Sequence, residues 1–284
     1  MKFTKMHGIG NDYVYVNCFE ETVEEPARMA QLISDRHFAV GSDGMILIKP
    51  SDVADFKMEM YNADGSLGAM CGNGIRCVGK YVYDHGLTNM TTITVETGAG
   101  IKTLDLNVVN GRVSTATVDM GAPVLTSNHL DLELGADAYG ILTHSQIWED
   151  ITVDGKTYKM ISVSMGNPHA IIFVEDTETI DIEKIGPKFE NHERFPDRTN
   201  TEFIQVISDT NLKMRVWERG SGETMACGTG ACACLVAASL AGFVNQSADV
   251  RLLGGTLQIS INKETGHVIM TGPATEVFEG DFNL

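Results

Sequence analysis

Cys71 and Cys227 lie 156 residues apart and stand in nearly the same phrase, Met70-Cys71-Gly72-Asn73-Gly74 and Ala226-Cys227-Gly228-Thr229-Gly230. A thiol can both take and give a proton when its pKa lies near the working pH. Two equivalent thiols suit a reaction that needs one group on each face of a carbon: one removes a proton, and the other returns one from the opposite side. Each cysteine precedes an apolar stretch, Ile75 to His85 and Ala231 to Ala241, closed by Gly86 and Gly242, where the glycine after a helix belongs. The pattern predicts a glycine-rich turn that opens a mostly buried helix. At such a start the N–H groups have no partner inside the helix and the dipole favours negative charge. The same position lowers a thiol pKa towards neutrality and can cradle a carboxylate. One such cysteine alone reads as a small core residue; its repetition in matching context reads as chemistry.

The other four cysteines carry less. Cys77, Cys232 and Cys234 fall inside the apolar stretches and read as core, and Cys18 has no counterpart. The spacings C-x5-C and C-x4-C-x-C match no common zinc pattern. A disulfide framework is not expected in a chain without an export signal.

Polar residues keep register with both thiols. Nine residues before each cysteine stands Asn62, in Tyr61-Asn62-Ala63-Asp64-Gly65, or Glu218, in Trp217-Glu218-Arg219-Gly220. Asn11 in Gly10-Asn11-Asp12 matches Asn167 in Gly166-Asn167-Pro168-His169 at the same offset of 156. Asn200 falls on Gly44, so the halves differ there, and the second half also brings Arg219. A lone asparagine in a turn is usually a backbone device, whereas a set that tracks both cysteines is expected to line one cleft. His169 reads equally as a base or as a structural histidine. No P-loop, dinucleotide fingerprint or Ser-His-Asp order competes; Gly220-Ser221-Gly222 is a turn without the strand and helix of a nucleophile elbow.

The elements that must position these residues are also written twice. Asp55 to Tyr61 aligns with Asn211 to Trp217, and Thr97 to Ile101 with Leu253 to Leu257. Past that point the register slips by about five residues, and Met120-Gly121-Ala122-Pro123 still echoes Thr271-Gly272-Pro273-Ala274. We read one repeat over 1–122 and a second over 123–275, which includes a divergent insert at about 124–156. A tail at 276–284 is expected to return to the first repeat. Short runs such as Met45–Ile48, Phe56–Tyr61 and Thr92–Val95 predict strands, and Ala27 to His37 predicts a helix. The 284 residues are 43% hydrophobic and 21% charged, ordinary for a globular chain with two cores. A net charge of −17 argues against a nucleic-acid partner. No apolar run reaches the roughly 18 residues of a membrane span, and the N-terminus lacks a signal-peptide core, so no membrane partner and a cytoplasmic location are expected.

Five phrases in order carry a resemblance: His7-Gly8-Ile9-Gly10-Asn11-Asp12, Tyr61-Asn62-Ala63-Asp64-Gly65, Met70-Cys71-Gly72-Asn73-Gly74-Ile75-Arg76-Cys77, Gly166-Asn167-Pro168-His169, and Trp217 through Gly230. Over essentially its whole length the chain resembles the diaminopimelate epimerases. The resemblance implies an α/β (α+β) fold of two pseudosymmetric duplicated domains. Each is a barrel-like, mainly antiparallel sheet around a central helix, with the active site in the cleft between them. It implies an epimerase that interconverts LL- and meso-2,6-diaminoheptanedioate in lysine and peptidoglycan precursor synthesis. No pyridoxal phosphate, no metal and no other cofactor is implied; the partner is the small amino acid substrate, and a homodimer is the implied assembly. Residue by residue, Cys71 and Cys227 become the acid and base pair. Gly72, Asn73, Gly228 and Thr229 offer N–H groups to the reacting carboxylate, and Asn11 and Glu218 lie near its amino group. Asn62, Asn167, Asn200 and Arg219 hold the distal end, and His169 supports them from behind.

Some branches of that family carry Gln at the position of Gly44. The change removes one polar contact near the reacting amino group and bears on selectivity. Three other readings stand beside this one. The first is a histidine- or proline-type racemase of the same fold, which would not need the distal grip. The second is a phenazine-type isomerase, which lacks the cysteine pair. The third is a non-catalytic binder of zwitterionic amino acids, which needs no thiols.

Overall fold

The computed structural model describes residues 1–283. They fold as two units, one of residues 1–118 together with the segment from Thr271 onward, the other Asp119–Met270. Among the described residues no helix is long and apolar enough to cross a membrane.

In the first unit the strand Asn11–Asn17 is flanked by Lys2–Gly8, antiparallel, and by Gly44–Lys49, parallel. The sheet continues through Phe56–Asn62, Thr92–Thr97, Gly100–Val109 and Arg112–Asp119. The C-terminal strand Thr275–Asp281 pairs antiparallel with Lys2–Gly8. The helix Gly72–Asp84 packs on the adjacent strands Lys2–Gly8 and Asn11–Asn17 and also on Gly100–Val109, far from them in sheet order. The sheet therefore curls around the helix, and every residue from Gly72 to Val82 is buried. A glycine-bearing helix face is what lets the wall come close. A Cβ at Gly79 would meet Leu104 and Leu106 within 2.9 Å, and one at Gly74 would meet Ile46 Cδ1 at 2.7 Å.

The second unit repeats the plan. Pro168–Phe173 lies between Lys156–Ser164, antiparallel, and Asn200–Ser208, parallel; Asn211–Glu218, Ser247–Leu252 and Gly255–Ile261 follow. Its helix Gly228–Leu240 contacts the strands from Lys156–Ser164 through Gly255–Ile261 and, apolar on all sides, is buried from Gly230 to Ala238. The offset of 156 holds residue by residue across the inner strands of the sheet. Tyr13 opposes Gly44 and Gly44 opposes Asn62; His169 opposes Asn200, with Thr201 opposite Trp217 on the next strand. The stretch expected to be an insert carries short pieces: strands Val124–Leu125, Leu132–Glu133 and Glu149–Val153 and the one-turn helix His144–Ile147. The helix expected over Ala27 to His37 is shorter, Pro26–Ile33, because the chain turns at Ser34 and Asp35 to cap its end.

Candidate active site

Each key cysteine is the N-cap residue of its unit's central helix. Cys71 has φ −128° and ψ 119°, and its sulfur accepts from the Gly74 N–H at 3.3 Å; Cys227 has φ −118° and ψ 106° and accepts from Gly230 at 3.3 Å. The extended cap residue turns its side chain back over the first turn, so the thiol takes the place that a serine or aspartate oxygen usually fills. The N–H groups of Gly72 and Asn73, and of Gly228 and Thr229, open the two helices, the positions at which helices bind anions.

In the first unit the Cys71 thiol donates to Asn11 Oδ1 at 3.2 Å. Asn11 is presented by the turn Ile9-Gly10, both residues at positive φ, between two paired strands. Its amide is fixed from behind, with Nδ2 donating to Asp43 Oδ2 at 2.7 Å, and the Asp12 N–H donates to the same oxygen at 3.1 Å. Arg36 Nη2 bridges Asp12 and Asp43 at 2.7 and 2.9 Å, and Lys5 also pairs with Asp12. Burial pushes the Asp43 carboxyl up, helped by the neighbouring Asp12 charge. Burial acts on Asp12 in the same sense, but the Arg36 and Lys5 contacts outweigh it and hold Asp12 below its ordinary value. Asn62 ends its strand and donates to Ser66 Oγ at 2.9 Å. Behind Asn73 lies a fully buried cation, Arg76, whose Nη2 donates to Asn73 Oδ1 and whose Nη1 donates to the Gly72 carbonyl, each at 3.0 Å.

In the second unit Cys227 is 5% exposed and lies 3.6 Å from Thr229 Oγ1. Asn167 Nδ2 donates to that hydroxyl at 3.3 Å, and His169 Nε2 meets Asn167 Oδ1 at 3.1 Å. Asn200 donates to the Pro168 carbonyl at 3.1 Å and accepts from the Arg219 N–H at 2.8 Å, while the exposed Arg219 guanidinium reaches the Asp197 carbonyl at 3.1 Å. Glu218 accepts from Thr224 and meets the Cys227 thiol. Burial raises the Glu218 carboxyl above its ordinary value despite the Thr224 hydrogen bond.

Cys227 corrects the expectation of a lowered thiol. Burial pushes it well up, and the charges of Glu218 and Glu202 act in the same direction, outweighing the Gly230 and Thr229 contacts at the helix start.

The structure thus joins Asn11 to Cys71 within the first unit. Within the second it joins Cys227, Thr229, Asn167 and His169 in one chain of contacts and Asn200 to Arg219 in another. Sequence reasoning passed over Asp43, Arg76, Glu202 and Thr224. Arg76 stood inside one of the five phrases, and its signal was a charge beside Ile75 and Cys77 in a glycine-rich helix start.

Gly44 has a steric reason. A Cβ there would fall inside the van der Waals envelope of the Tyr61 carbonyl oxygen and 2.9 Å from the Tyr13 ring. In this backbone no side chain fits, so no Gln-like contact can be made from the position.

The comparisons with known proteins agree with one another. The family model described as diaminopimelate epimerase matches residues 3–126 and 161–277, passing over the stretch between them. A diaminopimelate epimerase of Agathobacter rectalis is 56% identical over 285 residues, covering all of both chains. One of Acetivibrio thermocellus is 55% identical over 284 residues, covering all of this chain and 99% of its own. Among solved structures, a hydroxyproline epimerase from Agrobacterium vitis superposes with a TM-score of 0.73 at 14% identity, over 99% of this chain and 91% of that one, a likeness of fold.

Proposed function

The chain belongs to the diaminopimelate epimerase family of isomerases, and on that premise we propose that it interconverts LL- and meso-2,6-diaminoheptanedioate by proton transfer between two cysteines. The observation that carries the mechanism is the repeated cap. Each unit sets one cysteine at the N-cap of a buried helix, with helix-start N–H groups beside it.

In this reading Cys71 and Cys227 act on opposite faces of one α-carbon, one as thiolate base and the other as thiol acid, and exchange roles at each turnover. The N–H groups of Gly72, Asn73, Gly228 and Thr229 bind the carboxylate of the reacting centre. There they stabilise the charge that develops as the α-proton leaves, the kind of preorganised electrostatics that contributes most to catalysis. Asn11 and Glu218 serve its amino group, and Asn62, Asn167, Asn200 and Arg219 hold the distal amino acid end. An arginine fork suits a carboxylate because two N–H groups can donate in parallel. The raised Cys227 supports its role as the proton donor in the direction where Cys71 is the base. The activity would serve lysine and peptidoglycan precursor synthesis in the cytoplasm.

The test is turnover of LL-2,6-diaminoheptanedioate by reduced protein, followed by chiral chromatography. Cys71→Ser and Cys227→Ser are each expected to lower kcat by about 10²- to 10⁴-fold, the size of a lost acid–base group. A single variant that keeps the parent rate would overturn the two-thiol reading. Turnover of proline or histidine without turnover of the diamino diacid would favour the rival racemase.

A further inference from the structure

The two units provide an internal control for one buried charge. In the first unit Ile46 lies between Tyr15 and Met60 on neighbouring strands and is fully buried. At the equivalent place in the second unit, 156 residues on, Glu202 lies between Ile171 and Val216, also fully buried. The fold builds this sheet with isoleucine, so it does not require a carboxylate there. A buried ionisable group is costly unless paired, and one oxygen of Glu202, Oε2, has no hydrogen-bond partner among the described residues.

The other oxygen is committed. Glu202 Oε1 lies 2.7 Å from His169 Nδ1, and both side chains are wholly inaccessible. A carboxylate and an amide oxygen both accept, so His169 donates from both ring nitrogens, Nδ1–H to Glu202 Oε1 and Nε2–H to Asn167 Oδ1 at 3.1 Å. Asn167 then presents Nδ2 to Thr229, whose hydroxyl stands 3.6 Å from the Cys227 sulfur. The carboxylate also seats directly against the cysteine's helix: a Cβ at Gly230 would meet Glu202 Oε1 at 2.5 Å and Cys227 Sγ at 3.1 Å. Donor atoms of His169, Glu202 and Cys227 all fall within 4.8 Å of one another. In the first unit the counterparts of His169 and Glu202 are Tyr13 and Ile46, and the Asn11 amide nitrogen donates directly to Asp43.

We propose that Glu202 is a positioning residue for the second half-site: by accepting from Nδ1–H it holds the His169 ring, whose Nε2–H donates to Asn167 Oδ1 and so orients that amide and, through it, the Thr229 hydroxyl beside Cys227. The inference rests on the epimerase reading for its kinetic consequence but not for its structural one. Each unit then has its own carboxylate behind its own asparagine, Asp43 acting directly and Glu202 through an imidazole.

The experiment pairs kinetics with 15N NMR of histidine-labelled protein, the His169 ring assigned by its loss in His169→Gln. Glu202→Gln is expected to lower kcat/KM for LL-2,6-diaminoheptanedioate about 100-fold, the size of a roughly 1 Å misplacement in an active site, and to move the ring 15N signals away from those of an imidazole protonated at both nitrogens. In an Asn167→Ala background the same change is expected to cost little further, because its effect runs through that amide. Should Glu202→Gln fold poorly, Glu202→Ile puts the first unit's own residue into the core. It is expected to fold and to show the same kinetic loss. Parent kinetics in a folded Glu202→Gln or Glu202→Ile variant would overturn the proposal. So would an unchanged ring signature in Glu202→Gln, or losses that add fully with Asn167→Ala. If the parent protein shows no epimerisation, the function reading fails, while the ring 15N signature still reports whether Glu202 holds His169.

Discussion

At the scale of single residues, the environments of the two thiols differ although their backbone settings repeat. Cys227 faces two carboxyl groups and is pushed well up, first by burial and then by Glu218 and Glu202. Removing one of those charges makes the thiolate easier to form. Glu218→Gln is therefore expected to speed alkylation of Cys227 by iodoacetamide at pH 8 severalfold, read by peptide mass spectrometry. An unchanged rate would mean that Glu218 does not act on this thiol. On the other side Asn11 owes its orientation to Asp43. Asp43→Ala is expected to lower kcat/KM about 100-fold while the far-UV circular dichroism stays that of the parent. Cys71, Cys227, Asn11 and Asn167 were legible in the sequence because duplication gave each of them a matching partner in register. Asp43 and Glu202 were not, because each stands where the copy has a different residue and no phrase marks it. The signal for Glu202 was nevertheless on the page, a glutamate beside Phe203 and Ile204 in a strand whose twin reads Met45-Ile46-Leu47-Ile48.

At the scale of elements, the glycines set how close strand, helix and turn can come. Gly44 has no room for a side chain against Tyr61 and Tyr13. Gly44→Ala is expected to cost about 1–3 kcal/mol, as overpacked sites do, measured by urea denaturation; a neutral result would show that the strand Gly44–Lys49 moves freely away from Phe56–Asn62. The central helices and most strands could be read from apolar runs and glycine punctuation. The helix ends proved three residues earlier than the apolar runs, at Gly72 and Gly228, because the cysteine itself caps the first turn. The segment between the repeats was opaque for a physical reason. Its strands are two to five residues long and its helices a single turn, too short for a period to show.

At the scale of the molecule, several groups titrate together. Burial raises Cys77 to about 11 and pushes Cys227 and Cys234 well up, from an ordinary value near 9. In the unfolded chain these thiols ionise first as pH rises, so the folded state binds more protons and loses stability with increasing pH. Their contribution is fully present below about pH 9 and, for Cys77, is lost between about 9 and 11. The urea midpoint of reduced protein is expected to fall as pH rises through that window, and less steeply in Cys77→Ala; a flat profile would contradict the burial argument. The duplication itself was the most legible property of the whole chain, since one offset orders both sheets and both helices. What the chain does with two thiols is tested most directly by isotope washin. Reduced protein would turn over LL-2,6-diaminoheptanedioate in D2O, and deuterium would be followed at early conversion in product and in recovered substrate. Transfer between two cysteines requires deuterium at the inverted α-carbon of the meso product, with recovered LL substrate still carrying protium. Equal washin to both from the start would mean that a single group serves both faces, and the two-thiol account would not stand.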